Sequence, residues 1–138
     1  MIGKRLWPAL LALLALLLLA GCAGNPLPAG MEEETLLSAG REVVLLVVEG
    51  EYEAVWDRLR QDVRDTVTAA DIQALALRQT DGAGVYKQIE NSMTTGQSNG
   101  GEACGVAVFY CEYAKDDVLF RVAFDQDMTL IGLEITKQ

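Results

Sequence analysis

The chain has 138 residues, of which 11 are Lys or Arg, 20 are Asp or Glu and none is His. Its formal charge of −9 repels nucleic-acid phosphates, which excludes nucleic acid as an expected partner. The absence of His removes the commonest general base and the commonest nitrogen ligand of metals. Beyond the N-terminal segment only Cys104 and Cys111 remain, too few for a thiolate zinc site, so neither metal nor cofactor is expected.

Lys4 and Arg5 precede an apolar run from Leu6 to Ala20, broken only by Pro8. Its 15 residues fall short of the ~20 that cross a bilayer. A charged start, a short apolar core and a small-residue exit are the pattern of an export signal. The exit Leu19-Ala20-Gly21-Cys22 resembles the lipobox of bacterial lipoproteins. That resemblance implies a diacylglyceryl group on the Cys22 thiol, cleavage before Cys22, and a mature chain held on the extracytoplasmic face of the cell membrane. Two or more acyl chains give durable anchoring, where one gives only reversible binding. Residues 1–21 are then the signal and 22–31 the lipidated cysteine and linker, with a single domain over 32–138. Loss of Lys4 and Arg5 leaves 9 basic against 20 acidic residues, a formal charge of −11. Such a surface has no electrostatic attraction to anionic lipid, so the covalent anchor is the expected membrane partner.

Ala23 to Gly30 is rich in small residues and proline and reads as an extended spacer of roughly 25 Å. Glu32-Glu33-Glu34 suits the positive end of a helix dipole. Leu36, Leu37, Val43, Val44, Val47 and Val48 follow at helical spacing, and Gly50 supplies a stop, giving a first helix over about Glu32 to Glu49. Gly40 inside it weakens the helix or marks a close approach. Tyr52, Val55, Trp56 and Leu59 form one face of a short second helix. Val63 and Val67 lie in a polar connection. Thr68 reads as the N-cap of a third helix, with Asp71 three residues on as the capping-box partner, and Asp81-Gly82-Ala83-Gly84 ends it.

From Val85 the period becomes alternating. Val85 to Met93 is a weak strand, and Thr94 to Gly101 reads as a polar loop. Ala107, Phe109, Cys111 and Tyr113 alternate along a strand, Val118, Phe120, Val122 and Phe124 along the next, and Thr129, Ile131, Leu133 and Ile135 along the last. Two-residue turns centred on Lys115-Asp116 and Gln126-Asp127 would place Cys111 opposite Phe120 and Val122 opposite Ile131. All three apolar rows then share a face. The expected fold is α+β: two to three N-terminal helices packed on a curved antiparallel sheet of about four strands.

Gly40-Arg41-Glu42-Val43-Val44, leading to Glu49-Gly50-Glu51-Tyr52-Glu53, resembles the opening of the bacterial "domain of unknown function 3887" family. Phe124-Asp125-Gln126-Asp127 with Ile131-Gly132-Leu133 resembles its closing strand pair, so the likeness spans about Glu33 to Ile135. The resemblance implies a fold similar to nuclear transport factor 2 or cystatin, with a conical cavity, and occurrence on lipoproteins and ahead of hydrolase domains. It carries no catalytic residues. Met128 departs from the family, which usually has a turn glycine there.

Cys104 and Cys111 point to opposite faces of one strand and stand about 23 Å apart when it is continuous. A disulfide needs Cα atoms roughly 4.4–6.8 Å apart, so free thiols are expected unless Gly105 breaks the strand. Asp116-Asp117 and Asp125-x-Asp127 sit in turns, where Asp is favoured without a calcium ion. Tyr52, Trp56, Phe109, Tyr113, Phe120 and Phe124 either line the cone or fill it as core. The expected function is a membrane-anchored, non-catalytic module that binds a small ligand or an envelope protein. The alternative is an enzyme, or the accessory domain of a hydrolase, that uses the cone as its pocket.

Overall fold

A computed structural model describes residues 24–138. Cys22 and the export signal expected over residues 1–21 lie outside the described residues. The described chain is α+β. Four helices are followed by a four-stranded antiparallel meander in the order β1-β2-β3-β4. The helices are α1 (Glu33–Val48), α2 (Tyr52–Arg58), α3 (Gln61–Arg64) and α4 (Ala69–Thr80). The strands are β1 (Tyr86–Asn99), β2 (Glu102–Tyr113), β3 (Asp117–Phe124) and β4 (Leu130–Lys137).

The helix α1 buries Leu36, Gly40, Val43, Val44 and Val47, the stripe its spacing demands. Gly40 is where it meets the sheet: a Cβ there would lie 2.8 Å from the Ala107 methyl and 2.8 Å from the Phe109 ring. The end of α1 is a Schellman motif. Gly50 has φ +77°, its amide donates to the Val47 carbonyl at 3.0 Å, and the Glu51 amide donates to the Leu46 carbonyl at 2.8 Å. Val55 is the buried residue of α2. The connection expected after it contains one helical turn, α3. At the head of α4 the Asp71 amide donates to Thr68 Oγ1 at 3.1 Å, and the Thr68 amide donates to the Asp71 carboxylate at 2.9 Å. That is the capping box read from the sequence.

Thr94 to Asn99, expected as loop, continues β1. These residues lie on an edge strand whose outer side is met by Asn25 at Thr95 and Gly96, and pairing with β2 rather than side-chain burial holds them. The turn itself is only Gly100-Gly101, at φ +57° and +86°, between the Asn99–Glu102 pair. Positive φ at both central residues is the type I′ requirement. The ladder shifts register around Lys87 and around Glu90, and such bulges bend a strand.

The other two hairpins are displaced from the expected pairings by two residues. Cys111 faces Val118, Phe109 faces Phe120 and Ala107 faces Val122. The connection is longer than two residues because the Ala83–Val85 segment captures it. The Ala114 amide donates to the Val85 carbonyl at 2.8 Å and the Lys115 amide to the Ala83 carbonyl at 2.7 Å. At the last turn the Asp125 amide donates to the Thr129 carbonyl at 2.9 Å, with Met128 at φ +63°. A three-residue loop therefore replaces the two-residue turn. Ladder pairing then jumps from Phe124–Leu130 to Ala123–Gly132. Ile131 is the bulged residue and leaves the row assigned to it, packing on the opposite face with Ala123. Leu130 takes its place in the core. A slip of two preserves which face each side chain occupies, so the apolar rows of β2 and β3 still meet the helices.

Phe109 and Phe120 are fully buried at the centre, under α1, with Val118, Val122 and Cys111 beside them. Burial of each such side chain contributes about 1.5–3 kcal/mol. On the other face Cys104, Val106 and Val108 make a second buried cluster with Met93, Leu119 and Ala123. Cys104 and Cys111 are free thiols on opposite faces of β2.

The expected spacer is extended, but its described part lies along the sheet. Asn25 pairs with Thr95 and Gly96 on β1, and Leu27 and Met31 pack against the core. Met31 abuts the face of Gly105, where a Cβ would lie 2.8 Å from its methyl. At the opposite edge of the sheet, on β4, Leu59 bridges Leu130, and the Arg60 amide donates to the Leu130 carbonyl at 2.8 Å.

Candidate functional site

The six aromatic residues singled out in the sequence do not share one cavity. Phe109 and Phe120 fill the centre of the core, and Phe124 is buried with them while touching a shallow concavity beside Met128. Trp56 is half-buried: its Nε1–H donates to the Val67 carbonyl at 2.8 Å and the Arg64 guanidinium stacks 5.6 Å from its ring centre. That pairing fastens α3 to α2. Only Tyr52 and Tyr113 meet, in a cleft of about 420 Å³ between the C-terminal ends of α1 and α4 and the start of β1.

This cleft is walled by Val47, Tyr52, Ala76, Val85, Tyr86 and Tyr113. Its volume falls in the range of small-molecule and side-chain pockets. Tyr86 stands edge-on to Tyr113, ring centres 5.6 Å apart at 75°, the arrangement in which a ring edge meets a neighbour's π face. Opposed positions on β1 and β2 hold the two together. The Tyr52, Tyr86 and Tyr113 hydroxyls have no hydrogen-bond partner among the described residues, so three polar handles stand ready in an apolar setting. Burial, with smaller contributions from Cys111, Tyr86 and Tyr52, pushes Tyr113 up to about 12. Burial also raises Tyr86, with Cys111 adding to it. At neutral pH these phenols stay protonated. They suit hydrogen-bond donation and not proton abstraction.

The rim is unusual for a folded surface. Leu77 is 55% exposed and Val85 73% exposed, each projecting beside the tyrosines. Neither was singled out in the sequence. Leu77 sits next to Ala76 but off the buried stripe of Ile72 and Ala76, and that offset is the signal that marks it as a surface leucine. Tyr52 also borders a neighbouring concavity that carries Glu51 and Glu53, both exposed. The apolar cleft therefore has an acidic shoulder.

A second cleft of about 420 Å³ lies between α2, α4 and β4, lined by Val55, Leu59, Val63, Ile72, Leu75 and Leu133. Its polar margin is Asp71 and Arg78, and the Asp71 carboxylate is committed to the capping box. Among the described residues no group of three Asp, Glu or Cys side chains is placed to hold a metal ion, and no helix is long and apolar enough to cross a membrane.

A family model described as "protein of unknown function (DUF3887)" matches residues 40–133. The chain belongs to that family. The DUF3887 match covers α1 from Gly40 through β4 as far as Leu133, and so includes both clefts. Among solved structures, the NMR structure of a protein from Ruminococcus gnavus ATCC 29149 is similar, with a TM-score of 0.67 and 22% identity. The likeness covers 79% of this chain and 95% of that one, and it extends to the fold alone. No curated protein matches the DUF3887 chain.

Proposed function

We propose that this DUF3887 protein is a lipid-anchored binding module of the bacterial cell envelope. It is held by acyl chains on Cys22, and its tyrosine cleft receives an apolar segment of a partner protein. The observation that carries the binding role is the pairing of exposed Leu77 and Val85 with three tyrosines whose hydroxyls lack partners among the described residues. Aliphatic side chains exposed to this degree around a concavity are the signature of a surface that another molecule covers. Tyrosine at such a site supplies large contact area with a polar tip, the chemistry enriched in interface hot spots. Glu51 and Glu53 beside Tyr52, on a chain of net acidic charge, favour a partner segment with a basic residue next to its apolar one.

The test uses a photo-crosslinking amino acid in place of Val85 in the full chain expressed in a bacterial envelope. One discrete crosslinked product is expected, lost in a Leu77→Asp background that keeps the circular dichroism of the parent. A crosslink unchanged by Leu77→Asp would refute the cleft as the docking site. For the anchor, intact mass of the membrane-extracted protein is expected to show acyl chains that Cys22→Ala lacks. An unmodified Cys22 in the mature chain would overturn the localisation.

A further inference from the structure

The described chain is fastened to the sheet near its start, at Asn25. The Asn25 amide donates to Thr95 Oγ1 at 3.1 Å and its side-chain Nδ2 donates to the Gly96 carbonyl at 3.3 Å. The Gly96 amide donates back to the Asn25 carbonyl at 3.0 Å. Gly96 is required for this contact, since a Cβ there would overlap the Pro26 carbonyl oxygen. The clamp continues inward through Leu27 and Met31 to the core, and Gln126 Nε2 donates to the Ala29 carbonyl at 3.4 Å. Residues 24–31 thus belong to the folded domain and are no swivel.

One residue, Ala23, separates Cys22 from Gly24, two steps along the chain. At about 3.6 Å per residue their Cα atoms lie within about 7 Å of each other. An acyl group on Cys22 therefore enters the bilayer next to Thr95 and Gly96, close to the β1–β2 hairpin tip. This reading rests on the lipoprotein assignment above. We infer that the clamp turns the tether into an orienting device, holding the domain with the β1–β2 hairpin tip against the bilayer surface and the tyrosine cleft facing away from it.

The β1 edge next to the clamp is itself uncharged. No charged residue occurs from Asn91 to Gly101, in a chain with 20 acidic residues. Glu102, which follows the tip, pairs with Arg60, whose Nη1 and Nη2 donate to its two oxygens at 2.6 and 3.0 Å, a guanidinium it shares with Asp62 and Asp125. Anionic lipid headgroups repel exposed carboxylates within a Debye length, so an uncharged edge is the surface that approaches most closely. The β3–β4 turn lies at the tip end too, so that end also carries exposed Asp62, Glu102 and Asp127, while the opposite end carries Lys115, Asp116 and Asp117; charge does not separate the two ends, and the orientation rests on the clamp. Tyr86 lies nine residues before Thr95 on the same strand, about 30 Å away at ~3.3 Å per residue. The cleft at that end is thereby presented to partners approaching from outside the membrane.

The full lipidated protein is reconstituted in phosphatidylcholine vesicles containing a nickel-chelating lipid, with a nitroxide at Ser98→Cys or at Lys115→Cys. Nickel at the bilayer surface is expected to relax the label at position 98 several-fold more than that at 115. Equal relaxation, or the reverse order, in vesicle-bound protein overturns the orientation alone. Protein that fails to co-float with the vesicles overturns both the orientation and the lipoprotein reading. Gly96→Val, which expels Pro26 from the strand, is expected to collapse the difference between the labels while leaving flotation intact. Asn25→Gly combined with Thr95→Val removes two clamp bonds without adding bulk, and a smaller collapse is expected. A difference that persists in full in both variants refutes the clamp as its cause.

Discussion

Arg60 and Asp125 meet across the domain: Arg60 Nη1 donates to Asp125 Oδ2 at 3.1 Å while Asp125 Oδ1 accepts the amides of Asp127 and Thr129 at 3.0 and 2.9 Å. Asp125 is the one buried charged residue among those described. One carboxylate shapes the β3–β4 turn and ties it to the start of α3. Asp125→Ala strands two turn amides, a loss of about 2 kcal/mol. Asp125→Asn keeps an oxygen for them and is expected to lose clearly less. Urea unfolding of the two variants tests the order, and equal losses would contradict it.

The contact of Gly40 with Ala107 and Phe109 sets two effects against each other. Alanine favours a helix interior by about 1 kcal/mol over glycine. Overpacking of a filled core costs about 1–3 kcal/mol, and both neighbours would sit 2.8 Å from the new methyl. Sterics win, so Gly40→Ala lowers the urea midpoint. A midpoint that rises would show α1 free to move off the sheet.

Met128 holds φ +63° in the last turn, where the family resemblance leads one to expect glycine. Left-handed backbone costs a non-glycine residue roughly 1–2 kcal/mol, and a β-branched side chain more. The half-buried Met128 side chain packs on the core and offsets part of that cost. The expected order of thermal stability is Met128→Gly at or above the parent and Met128→Val well below it. A Val variant as stable as the parent would refute the strained turn.

Burial pushes the Cys111 thiol from 9.0 up to about 12, with Glu90 adding to it. Burial moves Tyr113 from 10.0 up to about 12. Both are acids whose folded values are raised, so their neutral forms contribute stability that is fully present below the unfolded values. That contribution is lost as pH climbs from about 9 toward 12. Stability measured from pH 8 to 11 should fall, and Cys111→Ala should flatten the onset near pH 9. In the native state at pH 8 both thiols should alkylate far more slowly than in denaturant. A native mass two hydrogens lighter would reveal a disulfide instead.

Legibility in the sequence followed the physics of each element. The α1 stripe, the Thr68–Asp71 box and the alternating rows of β2 and β3 repeat at one period and bury one face, so their pattern survives in single residues. The polar half of β1 did not, because an edge strand is held by its ladder, and the ladder leaves no hydrophobic signature. The first register slipped by two with the Ala83–Val85 segment, and the second by one at the three-residue Met128 turn and by one more at the Ile131 bulge, and none of these is visible in alternation. Tyr52 and Tyr113 could be named as aromatic, but their meeting at one cleft depends on the folded path between α1 and β2. Trp56, Phe109, Phe120 and Phe124 share their composition and were absorbed by packing. Leu77 and Val85 required knowing which faces were left uncovered.

The meander has a kinetic consequence. Every strand pairs with its neighbour in sequence, so each hairpin closes a short loop at little entropic cost and none waits for distant chain. Fastenings of long range include Asn25 on Gly96 and Leu59 with Arg60 on Leu130, which close loops of about seventy residues. Refolding should therefore protect the β2–β3 amides first and the Gly96 and Arg60 amides last. The domain completes itself by securing its N-terminal tether and its final strand after the sheet is already formed.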